Sequence, residues 1–266
     1  MMEWQKWVKY AAIAFAILLA VSIIGSIVAA VGFVVGITEL DGVEDDLTVY
    51  EVSDSVTSLD LDIRAAAVEI KVGEKFSVES NLKHLEVKEK DGCLIIEETG
   101  SWGTVYHGAT LILYLPAGTV FERADLSTGA GRFTVEELSA EKLSLELGAG
   151  EVVIRRLCAA KSCEIEGGAG AVTVKDGSLH DLSMEMGVGQ LTMTAALTGV
   201  CDLEMGVGEA DITLLGGKES YRVKINKGVG SAEVDGQSAS DGETFGNGEN
   251  RVTIDGGVGS IEVDFE

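Results

Sequence analysis

The side chains able to do chemistry are four cysteines, three histidines and a large excess of carboxylates, 44 Asp and Glu against 20 Lys and Arg. His84, His107 and His180 are scattered, and neither a nucleophile elbow nor a His-Glu-x-x-His helix accompanies them. His180-Asp181 is an adjacent pair in a return loop, where exposed polarity is a simpler reading than catalysis. Cys93, Cys158, Cys163 and Cys201 show no Cys-x-x-Cys or Cys/His spacing suited to zinc. Glycine pairs could cradle phosphate, but no triplet continues as Gly-x-Gly-x-x-Gly or Gly-Lys-Ser/Thr. A calcium β-roll needs Asp two residues beyond the second glycine, where Phe133, Val152, Val172, Leu191, Ala210, Ala232 and Ile261 stand instead. The expectation is therefore no catalytic residue, no cofactor and no metal site. Most acidic residues read as falling at inconsistent repeat positions and are taken as solvated surface.

One segment has the composition of a binding loop. Gly100 to Gly108 holds Trp102, Tyr106 and His107, aromatics that could stack on a sugar or anchor a partner. The competing reading is a hydrophobic plug for the end of the molecule. The formal charge of −24 argues against nucleic acid and anionic lipid surfaces, both of which attract Lys and Arg.

The elements that position these groups follow from a repeat. Gly-(Ala/Val)-Gly recurs at Gly129 and Gly131, Gly148 and Gly150, Gly168 and Gly170, Gly187 and Gly189, Gly206 and Gly208, Gly228 and Gly230, and Gly257 and Gly259. The first glycines are 19, 20, 19, 19, 22 and 29 residues apart. Three residues before each stand Leu126, Leu145, Ile165, Met184, Leu203, Ile225 and Ile254; six after stand Val135, Ile154, Val174, Met193, Ile212, Val234 and Val263. Alternation with period 2 on both sides of the triplet indicates strand, glycine corner, strand, with one face inward. A pattern returning every 19 or 20 residues stacks equivalent strands in parallel, each repeat one coil, with some 14 residues left for the return path. Glycine suits the corners because it admits positive φ and close backbone approach, and the middle Ala or Val is expected to point into the core.

The reading is thus an all-β chain: a parallel β-solenoid (β-helix) of about seven 19–20-residue coils, preceded by one transmembrane α-helix. Residues 1–37 form a cytoplasmic stub and that helix, 38–58 a juxtamembrane linker, 59–122 an N-terminal β cap and 123–266 the repeat solenoid. Within the cap, Val87 to Ile96 alternates around the hairpin turn Asp91-Gly92, and a strand from Thr110 ends at Pro116. Asp235 to Asn250 is polar and glycine-rich and reads as a loop. Cys163 and Cys201 share an inward position two coils apart, too far for a disulfide. A Cys158–Cys163 bridge stays open.

Tyr10 to Ile37 carries no charge and exceeds the roughly 20 residues a spanning helix needs. Trp4, Trp7 and Tyr10 fit an interfacial aromatic belt. Lys6 and Lys9 before the segment, against Glu39, Asp41, Glu44, Asp45 and Asp46 after it, place the N-terminus in the cytoplasm and the remainder outside the cell membrane. A cleaved signal peptide is the alternative, with small residues at Val28-Ala29-Ala30, although signal h-regions run only about 7 to 15 residues.

The anchor, Leu115-Pro116 and the serial LSTGAGRFTV, LELGAGEVVI, IEGGAGAVTV, MEMGVGQLTM, LEMGVGEADI and IDGGVGSIEV resemble the prokaryotic putative-adhesin domain family, a domain of unknown function related to the extracytoplasmic part of Lia-type envelope-stress proteins. The resemblance covers residues 59 to 265 and implies an extracytoplasmic β-solenoid; it brings no catalytic motif. The expected function is a non-enzymatic, membrane-anchored adhesin-like, sensing or scaffolding protein of the cell envelope, whose partner is an envelope protein or a surface glycan. The alternative is a polysaccharide-acting β-helix enzyme, which needs paired carboxylates along a groove. A surface-binding threonine ladder would start at Thr134, Thr173 and Thr192 but ends at Asp211, Glu233 and Glu262.

Overall fold

The computed structural model describes residues 43–99 and 108–266. The expected transmembrane segment and the loop carrying Trp102, Tyr106 and His107 lie outside the described residues. Among the described residues, no helix is long and apolar enough to cross a membrane.

The described chain is all-β. The first seven strands are β1 Val43–Glu51, β2 Ser58–Ala65, β3 Ala67–Gly73, β4 Ser77–Leu82, β5 Leu85–Lys90, β6 Cys93–Glu98 and β7 Thr110–Pro116. Then come β8 Phe121–Val135, β9 Leu138–Ile154, β10 Leu157–Val174, β11 Gly177–His180, β12 Leu182–Thr198 and β13 Val200–Leu214. A 3-10 turn at Lys218–Ser220 leads into β14 Tyr221–Val234, β15 Gln237–Ser238, β16 Glu243–Gly246 and β17 Asn250–Phe265. The sheet is largely parallel, an arrangement compatible with a solenoid.

Hydrophobic alternation sets the register. Leu126, Leu145, Ile165, Met184, Leu203, Ile254 and Ile225 lie side by side on consecutive strands, and all are buried. In β9 the inward positions are Leu138 and Ala140, then Leu143, Leu145 and Leu147, then Val152 and Ile154. Each rung therefore presents three inward runs, the last two meeting at the glycine corner. Strand pairing occupies most of the rung, so the return path is shorter than the 14 residues expected. Fully burying one Leu or Ile contributes about 1.5–3 kcal/mol, and the columns make that burial mutual between neighbouring rungs.

Pairing continues through the corner because the glycines lack side chains. A Cβ on Gly148 would stand 2.1 Å from the Gly129 carbonyl oxygen, and one on Gly206 2.4 Å from that of Gly187. The second glycine is constrained twice over: Gly189 has φ +153°, and its Cβ would approach the Gly170 oxygen to 1.8 Å. The residue between them does not point inward as expected. Ala130, Ala149 and Val229 are exposed, and Ala169, Val188, Val207 and Val258 half-buried. The bend carries the middle residue to the outside of the corner, leaving the core to the positions that flank the triplet.

Three further expectations change. Val43–Glu51, expected within a linker, is β1, paired antiparallel with β4; its residues are mostly exposed, so no alternating pattern marks it. Residues 235–250 are not simply a loop, since β15 and β16 both pair antiparallel with β14. The rungs also leave chain order at the end: β17 pairs with β13 on one side and β14 on the other, so the last repeat sits inside the one before it. Gly257 accordingly follows Gly206 in the column, and Gly228 stacks beyond Gly257.

The opposite end is closed by the cap. β2 and β3 align with β8 as a further rung, matching Leu61 with Leu126 and Ile70 with Val135. β6 and β7 cover this rung in parallel, and the β5–β6 hairpin turns at Asp91 and Gly92, both at positive φ. At its corner Glu98, only 4% exposed, accepts hydrogen bonds from the backbone N–H groups of Arg64 (2.8 Å) and Ala65 (3.3 Å). A carboxylate there takes the place that the next rung's carbonyls occupy elsewhere.

Candidate functional site: a carboxylate-lined groove

Strand register assembles a group that lies dispersed along the sequence. Two residues before the first glycine of five repeats stand Glu146, Glu166, Glu185, Glu204 and Asp255, paired rung to rung. Ser127 precedes this column and Asn226 ends it. The backbones that carry neighbouring carboxylates are about one strand spacing, 4.8 Å, apart along the column. The expectation that acidic residues occupy inconsistent repeat positions fails for these five. Their fixed offset from the triplet is legible in the sequence, but a carboxylate reads as ordinary surface until it is aligned to the repeat.

The column lines a groove of about 840 Å³, whose floor includes Leu147, Met186 and Met205. Those three are buried and alternate with the outward carboxylates. Gly167 takes the floor position between Leu147 and Met186; a Cβ there would stand 2.2 Å from the Met186 sulfur. A flanking outward column runs Asp60, Asp125, Ser144, Glu164, Ser183, Asp202, Thr253 and Lys224, adding negative charge along most of the same face and ending on a lysine.

Compensation is sparse. Arg123 pairs with Asp125, and the Asn226 side-chain amide donates to Asp255 at 2.7 Å. Among the described residues, Glu146, Glu166, Glu185 and Glu204 have neither an ion pair nor a side-chain hydrogen bond. At the cap end, burial and then the charges of Asp125 and Asp62 push the Asp60 carboxyl above its usual range, against the opposing pull of Arg123. Burial, then Asp60 and Asp125, raise the Cys93 thiol in the same region.

A linear row of outward carboxylates can attract cationic groups, but it does not converge. Among the described residues, no three His, Cys, Asp or Glu side chains come together to hold a metal ion. His180 faces Thr198, with Nδ1 3.0 Å from the hydroxyl, and Nε2 lies 3.5 Å from Asp181. Asp181 in turn accepts the Val200 N–H at 2.9 Å and sits at φ 47°, so it shapes a turn between rungs. The seven glycine pairs form one continuous column beside the groove. Thr134, Val153, Thr173, Thr192, Asp211, Glu262 and Glu233 make another beyond the corner.

The cysteines are all free. Cys163 and Cys201 are buried core residues with Leu182 on the rung between them, and Cys158 is half-exposed. A Cys158–Cys163 bridge, open on sequence grounds, is not formed: the side chain of Cys163 enters the core while that of Cys158 lies at a half-exposed position.

Among solved structures, this chain is similar to a putative cell adhesion protein from Clostridium sporogenes, with 18% identity, 83% of this chain and 99% of that one covered, and a TM-score of 0.41. It is also similar to a putative adhesin from Parabacteroides distasonis (16% identity, 84% and 98% covered, TM-score 0.45). A putative lipid binding protein from the same organism matches with 15% identity, 83% and 98% covered, and a TM-score of 0.39. No curated protein matches. The family model for Toastrack DUF4097 matches residues 56–264, which takes in the cap, every glycine repeat and the carboxylate column, and the chain belongs to that family.

Proposed function

We propose that this chain is a membrane-anchored, extracytoplasmic β-solenoid acting as a non-enzymatic, adhesin-like protein of the cell envelope, and that its carboxylate-lined face is the interaction surface. The observation that carries the reading is the column of Glu146, Glu166, Glu185, Glu204 and Asp255, regularly spaced and little neutralised. A repeated row of like charge suits an extended partner carrying Lys and Arg at similar intervals. An envelope protein with a basic patch fits it; anionic glycans and lipid headgroups would be repelled. A polysaccharide-cleaving reading asks for a buried acid opposite a second carboxylate across a sugar, and the column instead runs along one side.

The test is retention of the full-length chain on isolated envelope material. The variant Glu166→Gln/Glu185→Gln/Glu204→Gln should bind at least about tenfold more weakly, and raising salt should weaken the unmodified chain toward that level. Equal retention of both chains at low salt would overturn the reading of this face. Release of reducing sugar ends from envelope polysaccharide would support the enzyme instead. The anchor is tested separately, by whether the chain stays with membranes through alkaline carbonate extraction.

A further inference from the structure

The chain order of the last rungs departs from their order in the stack. β14 precedes β17 in sequence, yet β17 lies between β13 and β14. The position β17 occupies is therefore a one-strand slot whose two walls are both made before its occupant in the chain. Pairing runs along the whole strand on both sides, from Val200–Arg251 to Leu214–Phe265 on one and from Tyr221–Asn250 to Val234–Val263 on the other. Val252, Ile254, Ile261 and Val263 fill the core there, so the slot cannot be left open without exposing apolar surface and two sheet edges.

The connection into β17 is long and mostly exposed, but it is held against β14 by β15, β16 and the buried Ala239. Residues 235–249 contain only the short β15 and β16; a Cβ built on Gly236 or Gly242 would meet nothing within 4 Å, whereas Gly246 and Gly248 pack against the backbone of Ser220 and Tyr221. Released from β14 and fully extended, that segment reaches roughly 50 Å, ample to carry β17 into a neighbouring molecule, so exchange requires β15 and β16 to form late or to open. The slot recognises a sequence, not a chain: its walls fit residues 250–265 of either copy equally well.

We infer that β17 is an exchangeable rung, and that a second copy of this chain can supply it, giving a strand-swapped dimer joined through residues 235–249. Exchange is decided as the chain folds, when the slot is filled by its own β17 or by a neighbour's; local concentration sets the balance, because the slot holds either strand by identical pairing and packing.

The experiment uses paired positions on the outer face. Glu204 and Asp255 are direct partners across β13 and β17, at a strand spacing of about 4.8 Å that a disulfide can bridge. Full-length chains carrying Glu204→Cys with one tag and Asp255→Cys with another are co-expressed in a Cys93→Ser/Cys158→Ser background, oxidised, and captured through both tags without reductant. The expected result is a disulfide-linked heterodimer at least about tenfold more abundant than from Glu204→Cys mixed with Lys161→Cys, which lies on a different rung outside disulfide range. A single chain bearing both Glu204→Cys and Asp255→Cys should close on itself, which checks the geometry. Closure of that double variant with no heterodimer above the Lys161 control would overturn the proposal. Failure of the double variant to close would overturn it as well, since the slot would then not be where β17 lies.

Discussion

At the scale of single residues, the backbone spacing between rungs decides what each position tolerates. Gly189→Val adds a side chain where the Gly170 oxygen is 1.8 Å from the Cβ site and φ is +153°, so rung spacing and backbone geometry must both give way. A loss of about 3 kcal/mol or more is expected, against about 0.5 kcal/mol or less for the neighbouring outward Gln190→Val. Gly167→Ala falls between them, because the atom it meets is the movable sulfur of Met186. Urea midpoints of the three variants check the order; Gly189→Val no worse than Gln190→Val would contradict the column. The thiols make a second test. Burial pushes Cys163 up to about 12 and Cys201 up to about 11. In the folded protein both should resist a thiol reagent at pH 8 while Cys158 reacts. A thiol whose pKa is raised by folding stabilises the native state fully below its ordinary value near 9 and loses that contribution as pH climbs through 11 and 12. The midpoint should therefore fall in that window, and less steeply in Cys163→Ala once its own lower baseline is subtracted.

At the scale of elements, like charges at one strand spacing oppose the stacking that the core favours. Removing a central charge, as in Glu185→Gln, should raise stability by roughly 0.5 kcal/mol at low salt, the size of a cross-strand pair, and the gain should shrink at about 1 M salt, where the screening length is near 3 Å. Asp60→Asn extends the argument to pH. The Asp60 carboxyl is raised by burial first and then by its acidic neighbours, so its ionised form works against the fold. The substitution should stabilise at pH 7, and the benefit should vanish as pH falls below the ordinary value of 3.8. A gain that persists at pH 3 would mean that charge is not the cause. The same scale shows what could be read in advance. The rungs were legible because Leu126, Leu145, Ile165, Met184 and Leu203 recur at one offset from a glycine that only close stacking requires. The carboxylate column was equally legible, one position nearer the glycine. β1, β15 and β16 were not, because strands exposed on both faces carry no alternation, and the cap's Glu98 shows its role only once a corner stands above it.

At the scale of the whole molecule, the order of the rungs could not be read, since Val223-Lys224-Ile225 and Val252-Thr253-Ile254 offer the same pattern to either neighbour; only the longer spacings near the end hinted at a detour. That order has a measurable consequence. In a stack, protection against opening comes from neighbours on both sides, and the terminal rung has one wall of parallel partners. β17 is last in the chain but interior in space, flanked by β13 and β14. Among the described residues, β14 is paired on its far side with the short antiparallel strands β15 and β16 alone, at Glu233–Val234 and Arg222–Ile225 respectively. Amide hydrogen exchange should therefore be slower across Val252 to Val263 than across Lys227 to Ala232. The C-terminal carbonyl of Glu266 supports this by accepting the Gly216 and Gly217 N–H groups at 2.8 and 3.2 Å. If exchange instead proceeded inward from Glu266, with β17 opening before β14, the last repeat would be a peripheral rung, and neither the interior position nor the slot it fills could stand.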